Sequence, residues 1–271
     1  VRSEVHLPFN RTREYGIDQS GTVSYHFNSV GYRSEELDPQ TTFRVCVLGE
    51  SHAIGIGVAF ERCFGQRFKA HLSAALELPE SAVNVINLSA GGTSADYCVR
   101  TLIRQIDIVR PDLVLLNMPA VDRMEDYGAD EARNYTISGV DIERIEEMPE
   151  PIQGFFDLYN PHLGQMNQAK NALMFQMVCH MRGAEHIIVA SKLQPKRFAT
   201  PILKPIFDQL DRDRILVNRF FNHRADLAAD SAHAGPSSHE AVAIAILDRY
   251  ARLVQQTHGD AEAAKLRAHA D

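Results

Sequence analysis

The chain has 271 residues, of which 45% are hydrophobic, a length that suits one large α/β domain with additions. Its formal net charge of -7 argues against a nucleic-acid partner, because a protein that tracks phosphates needs a concentrated basic surface. The four cysteines form no C-x-x-C pair, so the sequence predicts no zinc or redox motif, no other metal and no cofactor. We see neither an apolar run long enough to span a membrane nor a leader pattern, and we expect a cytoplasmic protein.

Short β-branched runs alternate with segments of helical period from residue 41 to 257, which we interpret as the main domain. This alternation predicts a three-layer α/β/α fold, with a flavodoxin-like open parallel sheet of about five strands and helices on both faces. The predicted strands are Phe43 to Leu48, Val83 to Leu88, Leu113 to Met118, His186 to Ser191 and Arg214 to Asn218. Residues 1 to 40 are predicted to form an N-terminal extension packed on this domain, and residues 258 to 271 a tail.

Three helices are indicated by apolar residues at three- and four-residue steps. One follows a cap at Ser94 and stops before Pro111, and a second begins at Pro161 and ends at Gly183. A last helix is predicted from Ser237 to Gln256. We predict core packing for the apolar stripe of the second helix, which comprises Leu163, Met166, Leu173, Met177 and Met181.

An acidic insert at residues 124 to 159 takes the place of the helix that should follow the third predicted strand. Its acidic residues are Glu125, Asp126, Asp130, Glu131, Asp141, Glu143, Glu146, Glu147 and Glu150. One interpretation is a solvated loop, since runs of charge usually hydrate a surface. The other is a lid or partner contact, because an insert at the carboxyl end of a strand overhangs the crevice where such sheets bind ligands.

The strongest local pattern is the run from Val47 to Val58, in which a predicted buried strand enters a glycine turn carrying Ser51. The turn places Ser51 at the carboxyl end of the first strand, near a helix N-terminus whose amides favour developing negative charge. Three interpretations stay open: a nucleophile, a simple helix cap and part of a phosphate cradle. The cradle is the weakest, because Gly49, Gly55 and Gly57 follow neither the dinucleotide-binding nor the P-loop order.

A nucleophile needs a base, and the stretch from Asp230 to His233 supplies a candidate. A carboxylate three residues before a histidine can reach the imidazole Nδ1–H, fix its tautomer and stabilise the imidazolium while the histidine takes a proton from Ser51. A metal site built on Asp230, His233 and His239 is the weaker alternative, because their spacing matches no recognisable ligand pattern. No metal is therefore predicted.

Taken together, these stretches resemble the SGNH/GDSL hydrolase superfamily between residues 28 and 245. The segment Gly49 to Ser51 resembles the first block of the family, with Glu50 where Asp is usual; the segment Asn87 to Ser94 resembles the second, and Asp230 to His233 the last. The upstream segment Phe27 to Arg33 is similar to an approach segment in one subset of the family.

The resemblance implies a catalytic triad of Ser51, His233 and Asp230 and an oxyanion hole made by the backbone amides of Ser51 and Gly92. It also implies a structural role for His239, which falls where a structural histidine often follows the last block.

The third block departs from the family pattern, which is Gly-x-Asn-Asp with the Asn side chain as an oxyanion donor. Pro119 aligns with the glycine and Val121 with the asparagine, so the expected donor is absent. Loss of one such donor typically lowers the rate by about 10²- to 10³-fold. Arg123 and His52 are candidate substrate or oxyanion contacts, with a plain surface arginine as the alternative for Arg123.

The resemblance implies a serine-dependent acyl-ester hydrolase or acyltransferase. Its expected partner is a short acyl ester, acetyl for example, of a carbohydrate or small metabolite. A catalytically weakened binding protein of the same fold is the alternative, because Val121 replaces the oxyanion Asn. A flavodoxin-like nucleotide-binding protein is a third and weaker hypothesis. It predicts that His233 lies far from Ser51. The sequence predicts no oligomeric state.

Overall fold

The computed structural model describes residues 17–18, 21–127, 132–136, 150, 153–154, 161–190, 201, 203–217, 221 and 226–258. Its strands are β1 Ile17–Asp18, β2 Gly21–Thr22, β3 Phe43–Leu48, β4 Val83–Asn87, β5 Leu113–Asn117, β6 Arg123–Tyr127, β7 Ala132–Thr136, β8 Glu185–Val189 and β9 Ile215–Leu216. Its α-helices are α1 Ser51–Ile54, α2 Phe64–Ala75, α3 Ala95–Val109, α4 Pro161–Arg182, α5 Lys204–Phe207 and α6 Pro236–His258. Short 3₁₀ helices are formed by Phe60–Arg62, Glu80–Ala82 and Arg212–Arg214. Of the tail predicted at residues 258 to 271, His258 is the last residue of α6, and residues 259–271 lie outside the described residues, as does much of the acidic insert.

Five strands form one parallel sheet in the order β4-β3-β5-β8-β9. Numbered along the chain within the sheet, this order is 2-1-3-4-5, the flavodoxin-like arrangement. The predicted fold class is therefore confirmed. In this order the connections leave β3 and β5 in opposite directions, so a crevice opens outside the carboxyl ends of these two strands. The sequence after β3 carries Ser51, and the sequence after β5 carries Pro119 and Val121.

The two faces of the sheet are covered by separate groups of helices. Alternate residues of β3 point to opposite faces, as the pleat requires. Cys46 and Leu48 belong to a core cluster with buried residues of α3 and α4, whereas Val45 and Val47 belong to a second cluster with α2 and α6. This division into helices, sheet and helices is the predicted three-layer arrangement.

The ends of the long helices follow the local signals in the sequence. Ser94 caps α3, its side chain accepting a hydrogen bond from the amide of Tyr97 at 3.3 Å. The helix ends at Arg110, which adopts a left-handed conformation immediately before Pro111. Helix α4 ends at Gly183, whose φ of 66° lies in the left-handed region where glycine is favoured.

The apolar stripe predicted for α4 is only partly correct. Met166 and Leu173 pack against the core, but Leu163, Met177 and Met181 are exposed by 37%, 53% and 72%. The buried face of the helix instead carries small and polar residues around one aromatic ring, namely Gln165, Gln168, Ala169, Ala172, Phe175, Gln176 and Cys179. Apolar periodicity does not predict this face, because several of its buried amides donate hydrogen bonds to distant segments, as Gln168 does to Pro119 and Gln176 to Gln209.

The acidic insert begins with an antiparallel hairpin of β6 and β7, which the sequence did not predict. Its Glu125 is buried and accepts a hydrogen bond from Arg100 Nε of α3 at 3.1 Å. A solvated loop is therefore the wrong interpretation for Glu125, because its partner lies outside the insert. No helix in the described part of the chain is long and apolar enough to cross a membrane.

Candidate active site

Ser51 begins helix α1, two residues after the glycine that ends β3, and is 7% exposed. The close packing of Gly49 explains this abrupt turn. A Cβ atom at position 49 would lie 2.7 Å from the Cβ of Ala53 and 2.9 Å from the Cβ of Asn117 on the neighbouring strand. Because a side chain does not fit there, glycine permits the chain to turn into α1 at the mouth of the crevice.

Hydrogen bonds hold the second sequence block against the Ser51 turn. The carbonyl of Gly49 accepts from the amide of Ala90 at 3.2 Å and from the hydroxyl of Thr93 at 3.3 Å. The side-chain amide of Asn87 donates to the carbonyl of Ala53 at 2.9 Å. The loop that carries Gly92 is thereby anchored beside the nucleophile candidate.

The two predicted oxyanion donors have backbone amides that other groups do not occupy in the described part of the chain. Gly92 has a φ of 72° and is exposed, and within the described residues no hydrogen bond occupies its amide. The amide of Ser51 lies in the first turn of α1, where a helix has no internal acceptor. Both amides can therefore donate hydrogen bonds to an anionic oxygen.

The Asp230 and His233 side chains form the predicted pair. Asp230 Oδ2 accepts a hydrogen bond from His233 Nδ1 at 2.5 Å, and Oδ1 accepts from the amides of Ala232 and His233, both at 3.0 Å. Burial raises the pKa of Asp230, but these backbone and imidazole hydrogen bonds outweigh it and hold the pKa below its usual value. The carboxylate therefore stays ionised and leaves His233 Nε2 for a substrate or nucleophile.

The structure brings this pair to the Ser51 turn. The imidazole of His233 packs edge-on against the ring of His52, with a centroid separation of 5.1 Å, and His52 stacks on Phe221 at 4.7 Å. The carbonyl of Gly57 accepts a hydrogen bond from the amide of Ala229 at 2.9 Å. The loop after α1 and the loop before α6 are thus joined beside the predicted triad.

Glu50 and Arg123 complete the surroundings of Ser51. The carboxylate of Glu50 accepts a hydrogen bond from Ser51 Oγ at 3.0 Å and forms an ion pair with Nη1 of Arg123. Among the described residues, Ser51 Oγ makes no hydrogen bond to His233. The sequence singled out Arg123 as a contact for substrate, whereas the structure places its guanidinium on Glu50. Sequence reasoning noted Glu50 only as a departure from the usual Asp.

Arg33 is a residue near the site that sequence reasoning did not single out. It is 1% exposed, and its guanidinium donates to the carbonyls of Ile54 at 3.1 Å, Gly55 at 2.5 Å and Val58 at 2.7 Å. The ring of Tyr25 covers the guanidinium at 4.2 Å. Its only signal in the sequence was its place at the end of the approach segment Phe27 to Arg33.

The third block supplies no replacement for the missing asparagine at the aligned position. The carbonyl of Pro119 accepts a hydrogen bond from Gln168 of α4 at 2.7 Å, and Val121 is half-buried in the turn that follows. Asn117 lies against Gly49, as its place at the end of β5 requires, which favours a structural role for it.

His239 has a structural position. It is buried, and its Nδ1 accepts a hydrogen bond from the amide of Phe64 at 3.1 Å. Burial lowers its pKa to about 3, so the ring is neutral at physiological pH. In the part of the chain that the structure describes, no group of three or more His, Cys, Asp or Glu side chains is arranged to hold a metal ion.

No family model and no curated protein matches the chain. Among solved structures it is similar to TesA, with 13% identity, coverage of 78% of this chain and 99% of that chain, and a TM-score of 0.47. It is also similar to the psychrotrophic esterase EstA from Pseudoalteromonas sp., with 13% identity, coverage of 78% and 98%, and a TM-score of 0.46. For the acetyl xylan esterase AlAXEase the identity is 12%, the coverage 75% and 98%, and the TM-score 0.41.

Proposed function

We propose that this chain is an SGNH-type serine esterase or acyltransferase whose nucleophile is Ser51. The observation that carries the proposal is the pairing of Asp230 with His233 Nδ1 at 2.5 Å, on an imidazole that packs against the residue following Ser51. An ionised carboxylate on Nδ1 leaves Nε2 as the basic atom of the ring, which is the arrangement that activates a serine hydroxyl.

In the proposed reaction Ser51 Oγ attacks the acyl carbonyl while its proton passes to His233 Nε2. The hydroxyl must first turn from Glu50, its hydrogen-bond acceptor in this structure, toward His233. Asp230 stabilises the imidazolium, which then gives the proton to the departing alcohol. Attack of water on the acyl-enzyme completes hydrolysis, and attack of another hydroxyl or amine completes acyl transfer.

The amides of Ser51 and Gly92 would hold the oxyanion of the tetrahedral intermediate. Val121 adds no donor, so we expect slower turnover than in an enzyme with a complete oxyanion hole, by about 10²- to 10³-fold. Contacts of His52 and Arg123 with the substrate stay predictions. The position of His52 between Phe221 and His233 supports a role in orienting the imidazole.

The proposed substrate is a short acyl ester of a carbohydrate or small metabolite. This part of the proposal rests on the resemblance of the sequence blocks to the SGNH/GDSL family. A panel of acyl donors with water, sugar and amine acceptors would separate an esterase from an acyltransferase, since an acyltransferase forms the new ester or amide faster than free acid.

The decisive experiment compares hydrolysis of p-nitrophenyl acetate by the wild type and by Ser51→Ala and His233→Ala. We expect kcat/KM to fall by about 10³-fold or more in both variants, because the nucleophile or its base is lost. Ser73→Ala is the matched control, since Ser73 is also buried but lies on α2. Equal rates in all four proteins would contradict the enzyme proposal.

Phosphonate labelling tests Ser51 with less dependence on the choice of substrate. A fluorescent alkyl phosphonate should modify the wild type and Ser73→Ala at Ser51, and should leave Ser51→Ala unlabelled. Labelling at another serine, or none in the wild type, would argue against Ser51 as the nucleophile.

A binding protein that has lost turnover is the second candidate function. Val121 in place of the oxyanion donor, and the donation of the Ser51 hydroxyl to Glu50, favour it. It predicts no phosphonate labelling of Ser51. The nucleotide-binding alternative is disfavoured, because it requires His233 to be remote from Ser51, whereas the His233 ring contacts the adjacent His52.

A further inference from the structure

A carboxylate stands next to the proposed nucleophile. The oxygen of Glu50 lies 3.0 Å from Ser51 Oγ, and the Glu50 side chain is only 9% exposed. The proposed reaction builds negative charge on the oxygen of the substrate carbonyl close to Ser51. A buried carboxylate without compensation would oppose that charge, because water screens it poorly there.

The same carboxylate competes with the proposed base. A serine hydroxyl has one proton, and it donates that proton either to Glu50 or to His233. An uncompensated carboxylate is the stronger acceptor for that proton, because a hydrogen bond to a charged group is stronger than one to a neutral imidazole. Both effects of Glu50 would slow attack by Ser51.

We infer that Arg123 is a positioning residue that neutralises Glu50 and thereby lets Ser51 turn to His233 and the oxyanion form. The inference rests on the proposed function. Arg123 forms its ion pair with the same Glu50 oxygen that accepts from Ser51, and the Arg123 side chain is 16% exposed. The guanidinium thus occupies part of the acceptor capacity of that oxygen and cancels its charge.

The hairpin that carries Arg123 offers an internal control. Among the described side chains, two ion pairs join strand β6 to the body of the protein, Arg123 with Glu50 and Glu125 with Arg100. The strand contributes the cation to the first pair and the anion to the second. Of these two pairs, the first contains the Glu50 oxygen that accepts the hydrogen bond from Ser51, and the second has no such contact. A variant that breaks the second pair loosens the hairpin and leaves the Arg123 guanidinium on Glu50.

The first test compares Arg123→Met, Arg123→Lys and Arg100→Met by kcat, KM and the rate of phosphonate labelling. We expect Arg123→Met to lower kcat and the labelling rate by about 10- to 100-fold with little change in KM, because the effect acts on the nucleophile. Arg123→Lys should recover most of the labelling rate, since it keeps the charge. Arg100→Met should remain within about threefold of the wild type.

The second test is rescue by removal of the other charge. Glu50→Gln in the Arg123→Met background should restore kcat to within about threefold of the Glu50→Gln single variant, because the carboxylate that Arg123 neutralises beside Ser51 is then gone as well. If Arg123 only anchored the hairpin, Glu50→Gln would not rescue the kcat of Arg123→Met, and Arg100→Met would lose as much activity as Arg123→Met. Either result, or wild-type kcat in Arg123→Met, overturns the inference.

The outcome for Ser51→Ala separates this inference from the proposed function. If Ser51→Ala keeps full activity and the wild type is not labelled, the proposed function itself fails. If Ser51→Ala is inactive and Arg123→Met is labelled as fast as the wild type, the proposed function stands and only the role of Arg123 is wrong. Circular dichroism and thermal unfolding of each variant confirm that the comparison is made between folded proteins.

Discussion

At Gly57, the loop that follows α1 contacts the loop that carries Asp230 and His233. The φ of Gly57 is 72° and lies in the left-handed region, and a Cβ atom there would lie 2.8 Å from the Cβ of Ala228 and 3.1 Å from the amide nitrogen of Asp230. Tyr25 accepts a hydrogen bond from its amide at 2.6 Å. A side chain at this position would therefore displace the Asp230 loop from the Ser51 turn.

The variant Gly57→Ala tests this contact. The left-handed conformation costs a non-glycine residue about 1–2 kcal/mol, and the contact with Ala228 adds to that cost, so we expect a loss of stability of at least that size and a fall in kcat of about tenfold or more. Gly183→Ala is the matched control, because Gly183 has a similar φ of 66° with no atom within 4 Å of its Cβ position. It should lose only about 1–2 kcal/mol of stability and keep its activity. Urea unfolding and p-nitrophenyl acetate hydrolysis measure both quantities, and equal kcat in the two variants would contradict a positioning role for Gly57.

At the scale of elements, Arg33 joins the N-terminal segment to the loop that follows α1. Its guanidinium donates to the carbonyls of Ile54 and Gly55 at the end of that short helix, where backbone acceptors have no partner within the helix, and to the carbonyl of Val58 beyond it. A cation at a helix C-terminus also interacts favourably with the helix dipole. The hydrogen bonds of Arg33 hold the loop from Ile54 to Val58 in the conformation in which Gly57 contacts the Asp230 loop.

Replacement of Arg33 by methionine should destabilise the fold and disturb the site. We expect a loss of about 2–3 kcal/mol, because the carbonyls of Ile54 and Val58 lose their Arg33 donor, and a fall in kcat that exceeds any change in KM. Arg252→Met is the control, since Arg252 forms an exposed i,i+4 ion pair with Asp248 on α6 and should cost less than about 1 kcal/mol. Urea unfolding of both variants makes the comparison. A similar, small loss in both would mean that the carbonyls find other donors without Arg33.

At the scale of the whole molecule, two buried histidines link stability to pH. Burial is the main cause that lowers the pKa of His186 to about 3, with Arg214 and His180 adding to it. Burial likewise lowers the pKa of His239 to about 3, and His52, Arg33 and His233 add to the effect while Asp226 opposes it. Both ring nitrogens of His186 are buried, and neither has a hydrogen-bond partner among the described residues.

The sign of the effect follows from the unfolded chain. A histidine in the unfolded state binds a proton near pH 6.5, whereas these two bind one only near pH 3. The contribution of these two histidines to the free energy of unfolding is therefore intact above pH 6.5 and is lost as the pH falls from 6.5 toward 3. The lowered carboxyl pKa values of Asp226, Asp230 and Glu240 add a further loss at the acid end.

We therefore predict that the free energy of unfolding falls between pH 7 and pH 5, before most carboxylates titrate. His186→Leu should flatten this decline, because it removes one of the two groups and leaves no unsatisfied ring nitrogen. Urea unfolding of the wild type and of His186→Leu at pH 7, 6 and 5 measures the slopes. Parallel slopes for the two proteins would show that His186 does not carry this pH dependence.

Much of the fold could be predicted because its signals are local. Each central strand is an apolar run within the sequence, and the long helices have caps and stop residues next to them, such as Ser94 and Gly183. The hairpin of β6 and β7 was missed, because β6 carries charged residues whose partners lie in α3 and the Ser51 turn. The buried face of α4 was missed for the same reason: its amides bond to distant segments, as Gln168 does to Pro119.

The sequence by itself determined the sheet, the glycine turn that presents Ser51 and the pairing of Asp230 with His233, since each depends on residues close together in the chain. Only the tertiary structure decided that the last block lies against His52, that Arg33 clamps the loop after α1 and that Arg123 lies on Glu50. Arg123 and Glu50 are 73 positions apart, and an ion pair at that separation leaves no periodic signal in the sequence. It forms because folding brings the carboxyl ends of β3 and β5 side by side, where the attraction between the two charges offsets the cost of removing them from water.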